Sequence, residues 1–489
     1  MVSPMQRVAR LLVAPALLLA VLTCGEPAAP PQPLTIAGGT GATDTVDAPL
    51  AQPLIVDVRT SQGLPARGAL VLFRALTVAS IPLSQYTVRL GPIGGPREFV
   101  SLYDTVGADA RAEVLVALGP VAGPGAVEIT VPELGLTDTA TYTIRPGNAV
   151  RIVTEPADTV VSVSHAFSLR TSVLDRHDNL RSDAVTYLAD SSSATVSTNG
   201  AVASLTAGRA SVRAYISAGP ADTSWVTVVP QATIAAIVPT GIAIVDLDGA
   251  NYREVPGVPI GGAAWVDWNP RGDTLVYASS DYDSWMYVTD LVGAPRRLIT
   301  DSTGLVSEYR PQYSANGQWI YFGGRRGSQD DAVWRVRPDG SSPVQVGPGG
   351  VEADNHPGPS GDGELVAYVT NRCCYPNDGL FVLHVSTGAI DSLAPAALTP
   401  RFSPADSLLG FVTPTDGIWV LRPDGSALRR VSPFINSIYN YYQGFDWSPD
   451  GVWIIARAPT NRLELIRLAD GLVLELPQFT ALDRPAWRP

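Results

Sequence analysis

One short pattern recurs through the C-terminal half of the chain, and it restricts the fold more than any other feature. It reads "VDWNPRGDTLVYAS" from Val266, "PQYSANGQWIYFGG" from Pro311, "PGPSGDGELVAYVT" from Pro357, "PRFSPADSLLGFVT" from Pro400 and "FDWSPDGVWIIARA" from Phe445. A sixth copy, "PAWRP" from Pro485, stops short. Between the copies lie partner segments of alternating character: "IAIVDLDG", "WMYVTDLVG", "VWRVRPDG", "LFVLHVSTG", "IWVLRPDG" and "LELIRLADG". A period in the forties indicates a repeat architecture. Each unit supplies a strand, a turn, a second strand, another turn and a third segment such as "RRLIT", which is the content of one blade of a β-propeller. The truncated copy lacks the strand that should follow it, while "ATIAAIVPT" at the other end of the region is an orphan strand. Pairing the two closes the ring with a blade built from both ends and leaves fewer exposed strand edges.

An aromatic residue followed by a Ser-Pro-Asp-Gly turn, repeated blade after blade, resembles the TolB-type propeller repeat. The resemblance covers residues 231–489 and implies a six-bladed β-propeller. Within it, Asp450 of "SPDG" falls where a tight turn needs Pro early and Gly late. Its expected counterparts are Arg271, Asn316, Asp362 and Asp406, and a catalytic carboxylate would not alternate with Arg and Asn, so a turn is expected. Trp447 is expected to pack blades, with counterparts Trp268, Tyr313, Pro359, Phe402 and Trp487. Asp446 has no single reading, since its counterparts are Asp267, Gln312, Gly358, Arg401 and Ala486. "DLDGAN" from Asp246 suggests a calcium loop but lacks the closing Glu, so a hairpin turn is expected there.

The N-terminal half reads differently. Two arginines, an apolar run from Leu11 to Leu22 and Cys24 follow the order of a secretory signal, and the run is too short for a stable membrane span. "VLTC" resembles the bacterial lipoprotein box, which implies a signal peptide over 1–23 and lipidation of Cys24, with ordinary signal cleavage as the alternative. Acyl chains would then hold the protein at a membrane, and Gly25 weakly suggests the outer one. Residues 24–33, rich in Pro and Ala, form a semi-rigid tether. Over 34–147, period-two segments such as "PLIVDVRT" and "AVEITV" argue for an antiparallel sandwich. They resemble bacterial Ig-like domains, as does a second unit over 148–230 containing "ATVS" and "GRASVRA". The expected fold class is therefore all-β: two Ig-like β-sandwiches followed by a six-bladed β-propeller.

Composition narrows the function. With 45 glycines and 42 prolines in 489 residues, many short strands joined by turns are favoured. A formal charge of −12 and no basic cluster argue against nucleic acid as a partner. All 34 basic residues are arginine, which removes a phosphate-loop lysine and Schiff-base chemistry. Four scattered histidines propose no zinc site, no metal or cofactor is expected, and there is no Gly-x-Ser-x-Gly elbow. Adjacent Cys373 and Cys374 leave two alternatives open, a strained vicinal disulfide or free or intermolecular thiols.

Symmetry supplies the site expectation. The residues just before the recurring motif, Trp265, Arg310, His356, Thr399, Gly444 and Arg484, should converge at one mouth of the axial channel. Glu308, Tyr309, Asp354, Tyr441, Tyr442, Gln443 and Asp483 lie beside them in sequence, and aromatics mixed with Arg and acids suit a binding surface. Solvated loop tips and tyrosines packed on their own blade are the bland alternative. The chain is therefore expected to be an exported, lipid-anchored envelope protein. Its propeller would bind an envelope protein or glycan, its membrane contact would be the lipid anchor alone, and no catalytic residue is assigned. A lyase or hydrolase acting on a polymer at the same mouth is the rival reading.

Overall fold

The computed structural model describes residues 33–76, 87–259, 261–279, 284–299, 304–328, 331–347, 354–370, 379–394, 397–413, 417–432, 444–458 and 460–489. Cys24, Cys373, Cys374, Tyr441, Tyr442 and Gln443 lie outside them. The protein is all-β, with one short 3₁₀ turn at Pro132–Leu134 among the described residues. It divides into two compact units, residues 33–148 with Asp175–Arg181, and Ala149–Leu174 with Ser182–Pro489.

In the first unit, a four-stranded sheet (Leu34–Gly38, Leu54–Val58, Arg111–Leu118, Val88–Gly91) faces a five-stranded one (Thr43–Thr45, Leu136–Arg145, Gly123–Val131, Leu70–Ala75, Ser101–Thr105). Alternation does the sorting: in Arg111–Leu118 every second residue, from Ala112 to Leu118, is buried. Val56, Val114, Phe73 and Ile129 meet in one core from both sheets. Asp175 belongs to this unit although residues 148–230 surround it in sequence. Its carboxylate accepts N–H bonds from Gly147 at 2.7 Å, His177 at 2.8 Å and Asn179 at 3.0 Å. Burial alone would raise its pKa, but these bonds and the Asn179 amide outweigh it and hold the group at about 2.

The second unit begins with a smaller sandwich. Its main sheet joins Asp158–Ser162, Ala221–Val229, Gly208–Tyr215 and Thr186–Ala189, and it shares a core with Ala166–Ser168, Ala201–Ser204 and Ala194–Val196. Val229 at the end of this sandwich, with Val160 and Ala207, packs into the apolar cluster of the blades that follow. Ser162 donates its hydroxyl to Asp248 at 2.6 Å. Sandwich and propeller are thus joined by a buried seam.

The propeller is six four-stranded antiparallel sheets. Five read straight along the chain, as in Leu305–Tyr313, Ile320–Arg326, Ala332–Val336 and Val344–Gln345. The sixth joins both ends: Asp483–Trp487 pairs with Thr233–Val238, Ile234 opposite Trp487 and Ala235 opposite Ala486. The orphan strand and the truncated copy therefore complete one blade, as the repeat count requires. An apolar cluster fills each of the six blade-to-blade interfaces. Trp447 and Trp268 pack as expected and cross to the preceding blade, donating indole N–H to the carbonyls of Arg401 and Ala486, each at 3.1 Å.

The recurring Ser-Pro-Asp-Gly turns hold themselves together. The N–H of Val452 donates to Asp450 at 3.0 Å and that of Trp453 to the Ser448 hydroxyl at 2.8 Å. Asn316 and Asp362 act identically, accepting from Gln318 at 3.0 Å and Glu364 at 2.9 Å. Asp450 is a turn residue. Asp406 requires a correction: it sits one place later, at the left-handed position (φ 55°) that Gly451, Gly363, Gly317 and Gly272 occupy elsewhere. Asp tolerates that conformation better than most side chains, and its carboxylate accepts the Gly361 N–H of the neighbouring blade at 2.9 Å. "DLDGAN" is a hairpin turn in which Asp246 accepts from Thr233 and Asn251, both at 2.6 Å.

Ring closure predicts a disproportionate effect at the last strand. Trp487, 5% exposed in the closing interface, should cost about 3–5 kcal/mol when replaced by Ala, read as a lowered urea midpoint of the propeller transition.

Candidate functional site

The innermost strands line an axis, and two cavities open along it. On the side of the recurring turns lies one of about 300 Å³, walled by Trp268, Tyr313, Phe402, Trp447, Trp487 and several turn prolines. Toward the opposite side lies a small cavity of about 20 Å³. Arg401 and Gln312 belong to the walls of both.

Arg401 spans the axis between these cavities. Its guanidinium pairs with Asp267, three blades away and directly across the ring, and with Asp446 on the adjacent blade at 2.8 Å. The remaining carboxylate oxygens accept backbone N–H groups, Asp267 from Tyr313 at 2.8 Å and Asp446 from Trp487 at 2.6 Å. All four oxygens therefore have partners, which a buried ion set requires. Burial raises the pKa of Asp446 to about 6, with Arg401 opposing and Asp267 adding to the rise. Asp446, whose position in the repeat gave no single reading, is thus one end of an ionic tie that links three blades.

The small cavity gathers all six positions that the symmetry of the repeat singled out: Trp265, Arg310, His356, Thr399, Gly444 and Arg484 line it together. Arg310 lies over the Trp265 ring at 5.3 Å and Arg484 at 4.7 Å, while the His356 ring stands 6.1 Å from it. Thr399 donates its N–H to Nδ1 of His356 at 2.9 Å, so neutral His356 carries its proton on Nε2. Arg484 also donates to the Ala264 carbonyl.

A shared backbone device turns these side chains inward. Arg310, His356, Thr399 and Arg484 all have positive φ, between 47° and 56°, and each precedes a proline. Non-glycine residues rarely adopt this region, and a following proline restricts them further. At each of the four, the pairing register of the innermost strand shifts, as a β-bulge does when it re-aims a side chain.

The flanking residues divide differently. Glu308 is fully buried and accepts the Met286 N–H at 3.1 Å, so it faces the preceding blade rather than the mouth. Tyr309, 3% exposed, lies against Gly323 of its own blade, where a Cβ would meet its ring at 2.3 Å. Both are corrections to the expected mouth, and the bulge one residue later explains them by resetting which face meets the axis. Asp483 is half-buried and paired with Arg457 at 3.0 Å. Asp354 opens the innermost strand of its blade, opposite Thr370. Arg401, Asp267 and the bulged backbone were not anticipated as a set.

Comparisons with known proteins return partial similarities. No family model matches the chain. An uncharacterized protein of Agrobacterium fabrum is 32% identical over 117 residues, which is 23% of this chain and 39% of that protein. Among solved structures, TolB from Acinetobacter baumannii is similar with a TM-score of 0.43 and 14% identity over 63% of this chain and 83% of that one. A nidogen/laminin complex is similar at 0.41, with 12% identity over 53% and 98%. An oligogalacturonate lyase in complex with manganese is similar at 0.33, with 12% identity over 51% and 73%. The propeller assignment itself rests on the six sheets and their six interfaces.

Two outcomes test the ionic tie. Arg401→Met strands two buried carboxylates and should cost about 3–5 kcal/mol, while adding Asp267→Asn and Asp446→Asn should restore most of that loss in urea unfolding. A carboxyl held near 6 in the fold binds its proton more tightly folded than unfolded. The Asp446 contribution should therefore favour the fold below about pH 4 and be lost as pH rises through 6, a trend that Asp446→Asn removes.

Proposed function

We propose that this protein is an exported, lipid-anchored component of the bacterial cell envelope that binds a protein or glycan through the axial mouth of its propeller. The observation that carries the reading is the convergence of Arg310, Arg484, His356, Trp265 and Thr399 from five blades onto one small cavity. Arg and Trp are the side chains that most often dominate binding energy, and here bulges re-aim both arginines, with His356 and Thr399, toward the axis. Backbone strain of this sort, of order 1–3 kcal/mol per residue, persists where the surrounding structure enforces it and clusters at functional sites.

The two sandwiches, read as Ig-like modules, serve as spacers that carry the platform away from the membrane. The buried seam through Val160, Ala207 and Val229 supports this by making the second sandwich a firm base for the propeller. Lipidation of Cys24 supplies the anchor in this reading.

Capture of partners from native envelope extracts by the full-length protein tests the proposal. Replacing Arg310, His356 and Arg484 together with Ala should abolish the captured set while far-ultraviolet circular dichroism stays unchanged. Capture that survives the triple substitution in folded protein overturns the role of the mouth.

A further inference from the structure

We propose that the larger axial cavity, on the side of the recurring turns, is a site for a quaternary ammonium head group such as that of choline. It lies across the Arg401 floor from the mouth and stands independently of the binding role given there. Its volume of about 300 Å³ suits a compact small-molecule group. Five aromatic residues, Trp268, Tyr313, Phe402, Trp447 and Trp487, come to it from the innermost strands of five blades. Trp268 and Trp447 donate their indole N–H to carbonyls of the preceding blade, so the cavity meets their carbon surface rather than a donor. Arg488 stands over the Trp268 ring at 5.4 Å and is not part of the cavity wall, which leaves the other four rings as the principal π surface.

The charge in this wall is lopsided. Among the described residues that line it, Asp267, Asp446 and Asp406 stand against a single guanidinium, Arg401. Both acids of the ionic tie line this cavity and not the smaller one, whereas Arg401 is shared between the two. The surplus is felt at Asp446, whose carboxyl burial pushes up to about 6, with Asp267 adding to the rise against Arg401. A cation beside it favours the ionised form. Hydrogen-bonding capacity, by contrast, is largely taken up by the fold. The oxygens of Asp267 and Asp446 already accept from Arg401, Tyr313, Trp447 and Trp487. Both Asp406 oxygens accept the Gly361 N–H at 2.9 Å, and the Ser314 and Ser403 hydroxyls accept from Trp319 at 3.1 Å and Leu408 at 3.0 Å. A primary ammonium or a sugar ring needs several such partners to replace its water. A quaternary ammonium has no N–H to satisfy and is held by negative charge and π surface.

Titration calorimetry on the full-length protein tests the site with choline and tetramethylammonium. The controls are ethanolamine and the uncharged carbon analogue of choline, in which a tert-butyl group replaces trimethylammonium. Both quaternary cations should bind, and both controls should bind at least about tenfold more weakly. Asp406→Asn suits the left-handed turn position and can still accept the Gly361 N–H, so it removes one charge alone. Phe402→Leu removes one ring and keeps an apolar wall. Each should weaken choline several-fold and the double variant about tenfold or more, with urea unfolding showing that the variants remain folded. Equal binding of the carbon analogue, full choline affinity in the folded double variant, or no binding of either cation by wild-type protein overturns the proposal. Loss of choline binding in the folded triple Ala variant of the mouth, with Asp406→Asn without effect, places the cation at the mouth and overturns it as well. Displacement of bound choline by vesicles of phosphatidylcholine, but not of phosphatidylglycerol, assigns a lipid head group as the source. Choline that resists both assigns a free solute, and either result keeps the site.

Discussion

Everything in the C-terminal half depends on the pairing of Asp483–Trp487 with Thr233–Val238. A stack of open sheets would leave two interblade faces exposed, each apolar enough to unravel its neighbour or to recruit another chain. Closing the ring buries both at once and fixes the six innermost strands around one axis. Only then do groups 220 residues apart, such as the Arg484 guanidinium and the Ala264 carbonyl, come within hydrogen-bonding reach. The closure is also what makes the Arg401 tie useful: a guanidinium that reaches across the axis to Asp267 and sideways to Asp446 resists outward sliding of the three blades it joins.

Much of this was legible in the sequence because a propeller writes its geometry as a period. The number of blades, the turn role of Asp450, the packing role of Trp447 and the shared blade all follow from comparing copies. The ring of Trp265, Arg310, His356, Thr399, Gly444 and Arg484 followed from the same symmetry, and the structure brings these residues together. What the period conceals is where copies differ in register. Glu308 and Tyr309 looked like neighbours of the mouth, but a bulge at Arg310 changes the face that each residue presents. Asp406 was misplaced by one residue because "SPAD" has an acid but no glycine, and only the backbone angle shows which of the two roles that acid fills.

The ionic tie was hidden for a different reason. Its members occupy one equivalent position in three blades, and a column reading Asp, Gln, Gly, Arg, Asp and Ala looks like tolerance of variation. In a ring, however, a column is a circle, and its members face each other. Two acids and one arginine in a column whose other members are neutral carry a signal of mutual contact, provided the column is read around the axis.

Chain-wide use of arginine has a local meaning at the mouth. Lysine in the places of Arg310 and Arg484 would offer a compact, strongly hydrated charge that resists burial, whereas guanidinium lies flat on indole and keeps its charge in a dry setting. Arginine stacked on tryptophan recurs elsewhere, as with Arg335 and Arg337 over Trp319 at 4.2 and 4.7 Å.

Arg401 stands in the wall of both cavities, tethered from two sides. Among the described residues the axis is thus a cup with a floor rather than a tube. A polymer cannot be threaded past such a floor; it can only dip one end or one branch into it. In the binding role proposed for this mouth, occupancy would track how many termini or side groups a ligand displays, independent of how long the ligand is.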